Sequence, residues 1–94
     1  MTDGLRMLGV IKTNKMIAVL RSGMVNGEFN SDFKWLESES PSRPMQKARA
    51  NGWVELKVVE DALGKPRQQT CMTMAGVFKL RQLLEEFGVP IEVL

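Results

Sequence analysis

The chain contains no histidine, no tyrosine and only one cysteine among its 94 residues. Histidine is the commonest general base, and histidine and cysteine provide most nitrogen and sulfur ligands of metal sites. The 11 carboxylates are scattered, without a DxD, ExxE or HExxH spacing, and no glycine-rich phosphate loop occurs. Because the groups that catalysis and metal binding require are missing, we expect no enzyme activity, no metal site and no cofactor.

Other absences concern the cellular compartment. A single cysteine, Cys71, cannot form an intramolecular disulfide and suits a reducing cytoplasm. The longest apolar stretches are far shorter than the roughly 20 residues that span a bilayer. The amino-terminal segment MTDGLRMLGVI lacks a basic n-region and contains two glycines, which is a poor pattern for a signal peptide. We therefore expect a cytoplasmic protein with no membrane segment.

The residues that are present suffice for one small core. A hydrophobic content of 44% is ordinary for a globular domain, and a chain of this length cannot divide into two independent cores. The net charge of +2 is distributed in blocks. Residues 22–40 hold four acidic residues and one lysine, whereas residues 41–52 hold three basic residues and no acid. Blocks of one sign indicate a surface that meets a charged partner.

Apolar spacing predicts the first helix. Thr13 can cap a helix that runs to about Arg21, because apolar residues recur there on one face, and Ser22-Gly23 should end it. Residues 1–11 stay open between a partial helix and an extended arm, since Gly4 and Gly9 interrupt a helical leucine spacing.

A short second helix is expected after a turn at Asn26-Gly27. Asn30 or Ser31 can cap it, and it should run to about Glu37. The third helix can begin at a cap on Ser42, with a proline in its first turn, where a missing N–H has no cost.

The apolar period changes from 3.6 to 2 after the third helix, which ends at Asn51-Gly52. Residues 53–58 therefore read as a half-buried strand, residues 61–66 as a loop and residues 69–74 as the returning strand of a hairpin. Thr73 can cap a last amphipathic helix over residues 75–87. All six aromatic residues fall at apolar-periodic positions and are expected in the core: Phe29, Phe33, Trp35, Trp53, Phe78 and Phe87.

This order of elements resembles the winged helix-turn-helix superfamily of DNA-binding proteins. The resemblance rests on Gly52-Trp53-Val54 after the third helix and on the basic hairpin tip Lys65-Pro66-Arg67. It also rests on Met72-Thr73-Met74-Ala75-Gly76, which looks like the join between a wing and its last helix. It implies an α+β fold with a three-helix core, a two-stranded wing and a carboxy-terminal helix. The winged domain would span residues 12–88, with 1–11 as an arm or partial helix and 89–94 as a tail.

The resemblance and the charge pattern together predict a DNA-binding surface. On the third helix the acid-free outer face suits the major groove, and the wing tip is expected on the phosphate backbone. The candidate residues of the helix are Ser42, Arg43, Gln46, Lys47, Arg49 and Ala50. Those of the wing are Lys65, Arg67 and Gln68.

We therefore expect double-stranded DNA as the partner of a small dimeric transcriptional regulator, of the compact kind often encoded by phages and mobile elements. Dimerisation is expected through the last helix, the tail and the amino-terminal arm, and a regulatory protein partner is possible. The alternative is a winged-helix module for protein–protein interaction, such as a replication or assembly accessory, because a fold does not fix its function. RNA binding through the same surfaces is a third reading.

Overall fold

The computed structural model describes residues 1–38 and 43–89. In these ranges the chain forms four α-helices, one 3₁₀ helix and two antiparallel hairpins, so the predicted α+β class is confirmed. The elements follow in the order α1 (Thr2–Leu8), α2 (Thr13–Ser22), β1 (Met24–Val25), β2 (Glu28–Phe29), the 3₁₀ helix (Ser31–Phe33), α3 (Gln46–Ala50), β3 (Val54–Glu60), β4 (Pro66–Met72) and α4 (Met74–Glu86).

Helix α1 packs against α2 and α4 and contributes Leu5 and Leu8 to the core. The amino-terminal residues are therefore helical, and they share one core with the rest of the chain. Helix α2 ends at Gly23, whose φ of 74° is favoured by glycine, as the sequence predicts. Thr13 is not its cap: Lys12 occupies that position, and its side chain makes no capping hydrogen bond.

The predicted second helix is wrong beyond its first turn. Asn30 does cap the segment, accepting from the Asp32 N–H at 3.0 Å, but only the 3₁₀ helix forms. The chain then becomes extended, because the backbone N–H groups of Trp35 and Leu36 both donate to the Leu20 carbonyl at 3.0 Å. Trp35 and Leu36 are thereby fully buried against the end of α2.

The third helix begins later than predicted. Leu36 and Pro44 form an antiparallel bridge, the Glu37 N–H donates to the Arg43 carbonyl at 2.8 Å, and the Met45 N–H donates to the Trp35 carbonyl at 2.8 Å. Residues 43–45 are therefore tied to the segment 35–37, and α3 keeps only five residues. The predicted cap Ser42 lies outside the described residues, and Met45 stands at the cap position of α3.

Strands β3 and β4 form the predicted hairpin, paired from Val54 with Met72 to Glu60 with Pro66. The returning strand starts earlier than expected because Pro66 takes its first position, where a missing N–H is tolerated. In the half of the hairpin beyond Leu56, towards the tip, both strands are exposed.

Helix α4 begins at a junction of four residues, Gly52, Trp53, Thr73 and Gly76, which we call the helix–hairpin junction. The Thr73 hydroxyl accepts from the Gly76 N–H at 3.0 Å and donates to the Gly52 carbonyl, while the Thr73 N–H donates to the Trp53 carbonyl at 3.0 Å. The predicted cap at Thr73 is thus confirmed.

The core lies between α1, α2, α4 and the base of the β3–β4 hairpin. Its buried side chains are Leu5, Leu8, Val10, Met16, Leu20, Phe33, Trp35, Leu36, Ala48, Val54, Val77, Leu80, Leu83, Leu84 and Val89. The aromatic prediction is correct for Phe33 and Trp35, and Trp53 is partly buried against the core. It is wrong for Phe29 and Phe78, each 63% exposed, and for Phe87, which is 41% exposed. Within residues 1–38 and 43–89, no helix combines the length and apolar character needed to cross a membrane.

Gly76 tests the junction. A Cβ at this position would overlap the Trp53 carbonyl oxygen and lie 2.9 Å from its carbonyl carbon. Although alanine favours helix, we expect Gly76→Ala to lower the free energy of unfolding by about 2–3 kcal/mol, because backbone cannot yield as a side chain can. Urea denaturation measures this. Gln82→Ala, on the exposed face of α4, is the control and should change stability by less than about 0.5 kcal/mol.

Candidate nucleic-acid interface

A cleft of about 600 Å³ separates α2 and the extended segment around Arg43 from strand β4. We call it the arginine cleft. Its lining is Met1, Ile17, Arg21, Leu36, Arg43, Leu56, Arg67, Gln68, Gln69 and Thr70. The lining thus contains three arginines together with apolar side chains and amides, but no carboxylate.

Arg21 comes from the last turn of α2. Its Nε is buried and has no hydrogen-bond partner among the described residues. A buried donor without a partner costs free energy, so this group favours the arrival of an acceptor. From the sequence, Arg21 is predicted only as the end of a helix. Its spacing of four residues from Ile17 places both on one helical face and could have indicated the cleft.

Lys34 places a further positive charge next to Arg21. The Lys34 ammonium donates to the carbonyls of Arg21 and Leu36, the latter at 2.6 Å, and to the Ser38 hydroxyl at 3.0 Å. These acceptors are neutral, so the positive charge of Lys34 adds to the potential at this end of the cleft.

Arg43 reaches the arginine cleft from an extended backbone and not from α3. Its carbonyl is held by the Glu37 N–H, which fixes the segment across from Leu36. The prediction that Arg43 belongs to the outer face of the third helix is therefore wrong, although the residue is exposed as expected.

The hairpin tip is organised by Asp61. Its Oδ1 accepts from the N–H groups of Leu63 and Lys65, both at 2.9 Å, and its Oδ2 accepts from Arg67 Nε at 3.0 Å. The Arg67 side chain remains 72% exposed while paired. Glu60 and Asp61 therefore balance the charges of Lys65 and Arg67, and the tip is not the net positive patch that the sequence block indicated.

The pKa of the Asp61 carboxyl lies below its ordinary value. The main cause is the hydrogen bond from the Lys65 backbone N–H; the Leu63 N–H and the Arg67 guanidinium act in the same direction, whereas partial burial opposes them. Asp61 thus remains charged at neutral pH and keeps the hydrogen bonds that hold the hairpin tip together.

The outer face of α3 is exposed and contains Gln46, Lys47, Arg49 and Ala50. Ala48 is buried on the opposite face. Lys47 turns towards the 3₁₀ helix, where Nζ lies 3.8 Å from Asp32 Oδ1 and 3.5 Å from the Ser31 carbonyl. This exposed pair reduces the free positive charge of the helix, although an exposed pair of this kind is weak.

The structure thus brings part of the predicted surface together. Arg43, Arg67 and Gln68, predicted as two separate blocks, line one cleft with the unpredicted Arg21. Lys47 is drawn to Asp32, and Lys65 lies at the hairpin tip. Comparison with protein-family profiles, with curated proteins and with solved structures finds no match to this chain.

Acid should open the hairpin tip. A carboxyl whose pKa is lowered by folding stabilises the folded state above the unfolded value of about 3.9, and this stabilisation is lost as the pH falls through the folded value. We expect the Leu63 and Lys65 amide shifts in NMR to titrate together, with a midpoint below 3.9. Asp61→Asn should abolish this titration; amide shifts that titrate unchanged in the variant would contradict the assignment.

Proposed function

We propose that the chain binds double-stranded DNA, as a small transcriptional regulator with a winged-helix arrangement. The observation that carries the proposal is the arginine cleft, whose lining contains Arg21, Arg43 and Arg67 and no carboxylate, with Arg67 paired to Asp61 at the hairpin tip. Guanidinium groups bind phosphate through paired N–H donors. Apolar walls at Ile17 and Leu36 keep water away from part of the cleft and strengthen this attraction.

The order of elements is compatible with a winged helix, since the β3–β4 hairpin follows α3 and runs directly into α4. In this proposal the arginine cleft holds the phosphate backbone, and the outer face of α3 approaches the base edges. Gln46 and Arg49 can bond to adenine and guanine, and Ala50 permits close approach. Five residues make a helix of only about 7.5 Å, so α3 would read few base pairs and backbone contacts would dominate affinity.

Salt dependence tests the cleft. We expect fluorescence anisotropy with a random duplex to detect binding that weakens steeply as salt rises, because each neutralised phosphate adds about 0.9 to the slope of log K against log salt. Arg21→Gln with Arg43→Gln should remove two cleft cations, lower the slope by about 1–2 and weaken binding at least tenfold.

Arg81→Gln is the matched control, because Arg81 lies on the exposed face of α4 and pairs with Glu85 at 3.9 Å. It should leave the slope and affinity close to those of the parent protein. If the cleft double variant retains the parent slope while remaining folded in urea denaturation, the phosphate site lies elsewhere.

Asp61 provides a test in the opposite direction. Asp61→Asn keeps an oxygen acceptor at the tip but removes the charge that pairs with Arg67. We expect duplex affinity to rise about threefold to tenfold at low salt, and the salt slope to steepen, because Arg67 becomes available to phosphate. Glu86→Gln, which removes the same charge from α4, should have a much smaller effect.

A protein–protein interaction module is the second candidate function. It is favoured by Met74 and Phe78, which lie one turn apart on α4 and are 51% and 63% exposed. The pairs Lys47–Asp32 and Arg67–Asp61 also limit nonspecific attraction to DNA. Absence of duplex binding at micromolar protein and low salt would reject the DNA proposal and leave this candidate ahead.

A further inference from the structure

The outer edge of strand β3 carries backbone groups that point away from β4. The Asp61 N–H donates to the Lys65 carbonyl at 2.9 Å, and the Thr73 N–H donates to the Trp53 carbonyl at 3.0 Å. Because hydrogen-bonded pairs alternate along an antiparallel ladder, the odd-numbered residues of β3 bond to β4. The N–H and C=O groups of Val54, Leu56, Val58 and Glu60 therefore point outward. Among residues 1–38 and 43–89, no strand pairs with this edge.

The two edges of the hairpin differ. Strand β4 begins with Pro66, which has no N–H, and its Thr70 carbonyl accepts from the Met1 nitrogen at 3.3 Å. Helix α1 also contacts β4. Strand β3 has seven residues, no proline, and an exposed valine at position 58. Along this edge Val58 and Glu60 are exposed, Leu56 is half-buried and Val54 is buried. The uncovered part of such an edge pairs readily with another strand.

The sequence of β3 complements itself in one antiparallel register. If Leu56 faces Leu56 of a second copy, the outward groups of Val54 meet those of Val58, and Glu55 faces Lys57. The alternation of the ladder makes the 55–57 pair a non-hydrogen-bonded pair, where opposed side chains approach most closely. The two-fold symmetry repeats this Glu–Lys pair on both sides of the centre.

Neighbouring registers lack this match. A register centred on Lys57 would place the Lys57 side chains of the two copies opposite each other, and a register centred on Glu55 would do the same with Glu55. A register centred on Val58 would place Glu55 of one copy opposite Asp61 of the other. Like charges directly opposite one another destabilise a sheet, so the charges favour the centre at Leu56.

We propose that a second copy of this chain binds the outer edge of β3, forming a continuous four-stranded sheet in the order β4–β3–β3–β4 centred on Leu56. The exposed Val58 would then lie beside Val54 of the other copy and lose contact with water. Asn51 and Gly52, which the other hairpin would pass, are exposed, and a Cβ at Gly52 would meet nothing within 4 Å.

This interface differs from the dimerisation surface expected from the sequence, which comprised the last helix, the tail and the amino-terminal arm. Helix α1 is already used in the core of its own chain, where Leu5 and Leu8 are buried. The inference does not rest on DNA binding, because it concerns the backbone edge of β3 that points away from β4, although the Leu56 residue of β3 also lines the arginine cleft. In the paired sheet the two β4 strands would lie about 14 Å apart, with one arginine cleft beside each.

Charge exchange between two variants tests the register. Glu55→Lys and Lys57→Glu should each weaken self-association at least tenfold in sedimentation equilibrium, since each variant opposes like charges twice. An equal mixture of the two should form heterodimers with affinity near that of the parent protein, because the lysines of one copy then face the glutamates of the other. The mixture also separates this effect from the Glu55–Lys57 pair within one chain, at 3.4 Å, which both variants lose.

A matched mixture of Arg81→Glu and Glu85→Arg, on α4, carries the same charge changes away from β3 and should associate like the parent protein. Val58→Pro gives a second test, because it removes an outward N–H that β4 does not use, and it should prevent association while the monomer stays folded. A weak homodimer with a dissociation constant in the micromolar range would be populated at roughly 200 µM. A parent protein that is monomeric at that concentration would overturn the proposal. Association unaffected by these β3 variants would also overturn it, by assigning the contact to another surface or partner strand.

Discussion

The close approach of Gly76 to the Trp53 carbonyl is the constraint on which the rest of the structure depends. Thr73 ends β4, caps α4 and bonds to Gly52 at the entrance of β3, so one residue joins three elements. A side chain at position 76 would separate α4 from the base of the hairpin. The direction in which the hairpin leaves the core is set here, and with it the distance between β4 and Arg21.

Charge in this protein is arranged by the fold and not by the sequence blocks. The acid-free block 41–52 contains Lys47, yet the 3₁₀ helix brings Asp32 to it. The basic tip contains Arg67, yet the turn brings Asp61 to it. In the arginine cleft, where α2 meets the hairpin, Arg21 and Arg43 have no carboxylate beside them in the lining. Counting charges along the chain identifies basic residues but cannot identify the acids that face them across the fold.

Elements with strong local signals could be predicted from the sequence. The glycine stop of α2, the Thr73 cap of α4 and the alternation of β3 are local, and all three are found. The helices predicted after Asn30 and after Ser42 are too long, because distant contacts determine where these helices begin and end. Leu20 accepts from the segment after the 3₁₀ helix, and Leu36 pairs with Pro44, so tertiary hydrogen bonds replace helical ones. The position of Arg21 in a cleft depends on these same contacts.

The stacking of the two tryptophans also determines what intrinsic fluorescence can report. The rings of Trp35 and Trp53 lie 5.0 Å apart at 26°, with the Lys79 ammonium 5.5 Å from the Trp53 ring. These are the only tryptophans of the chain, and it has no tyrosine. Emission therefore follows the contact between the extended segment at residue 35 and the base of β3. Neither ring belongs to the hairpin tip or to the lining of the arginine cleft, so an introduced label is the direct way to follow events there.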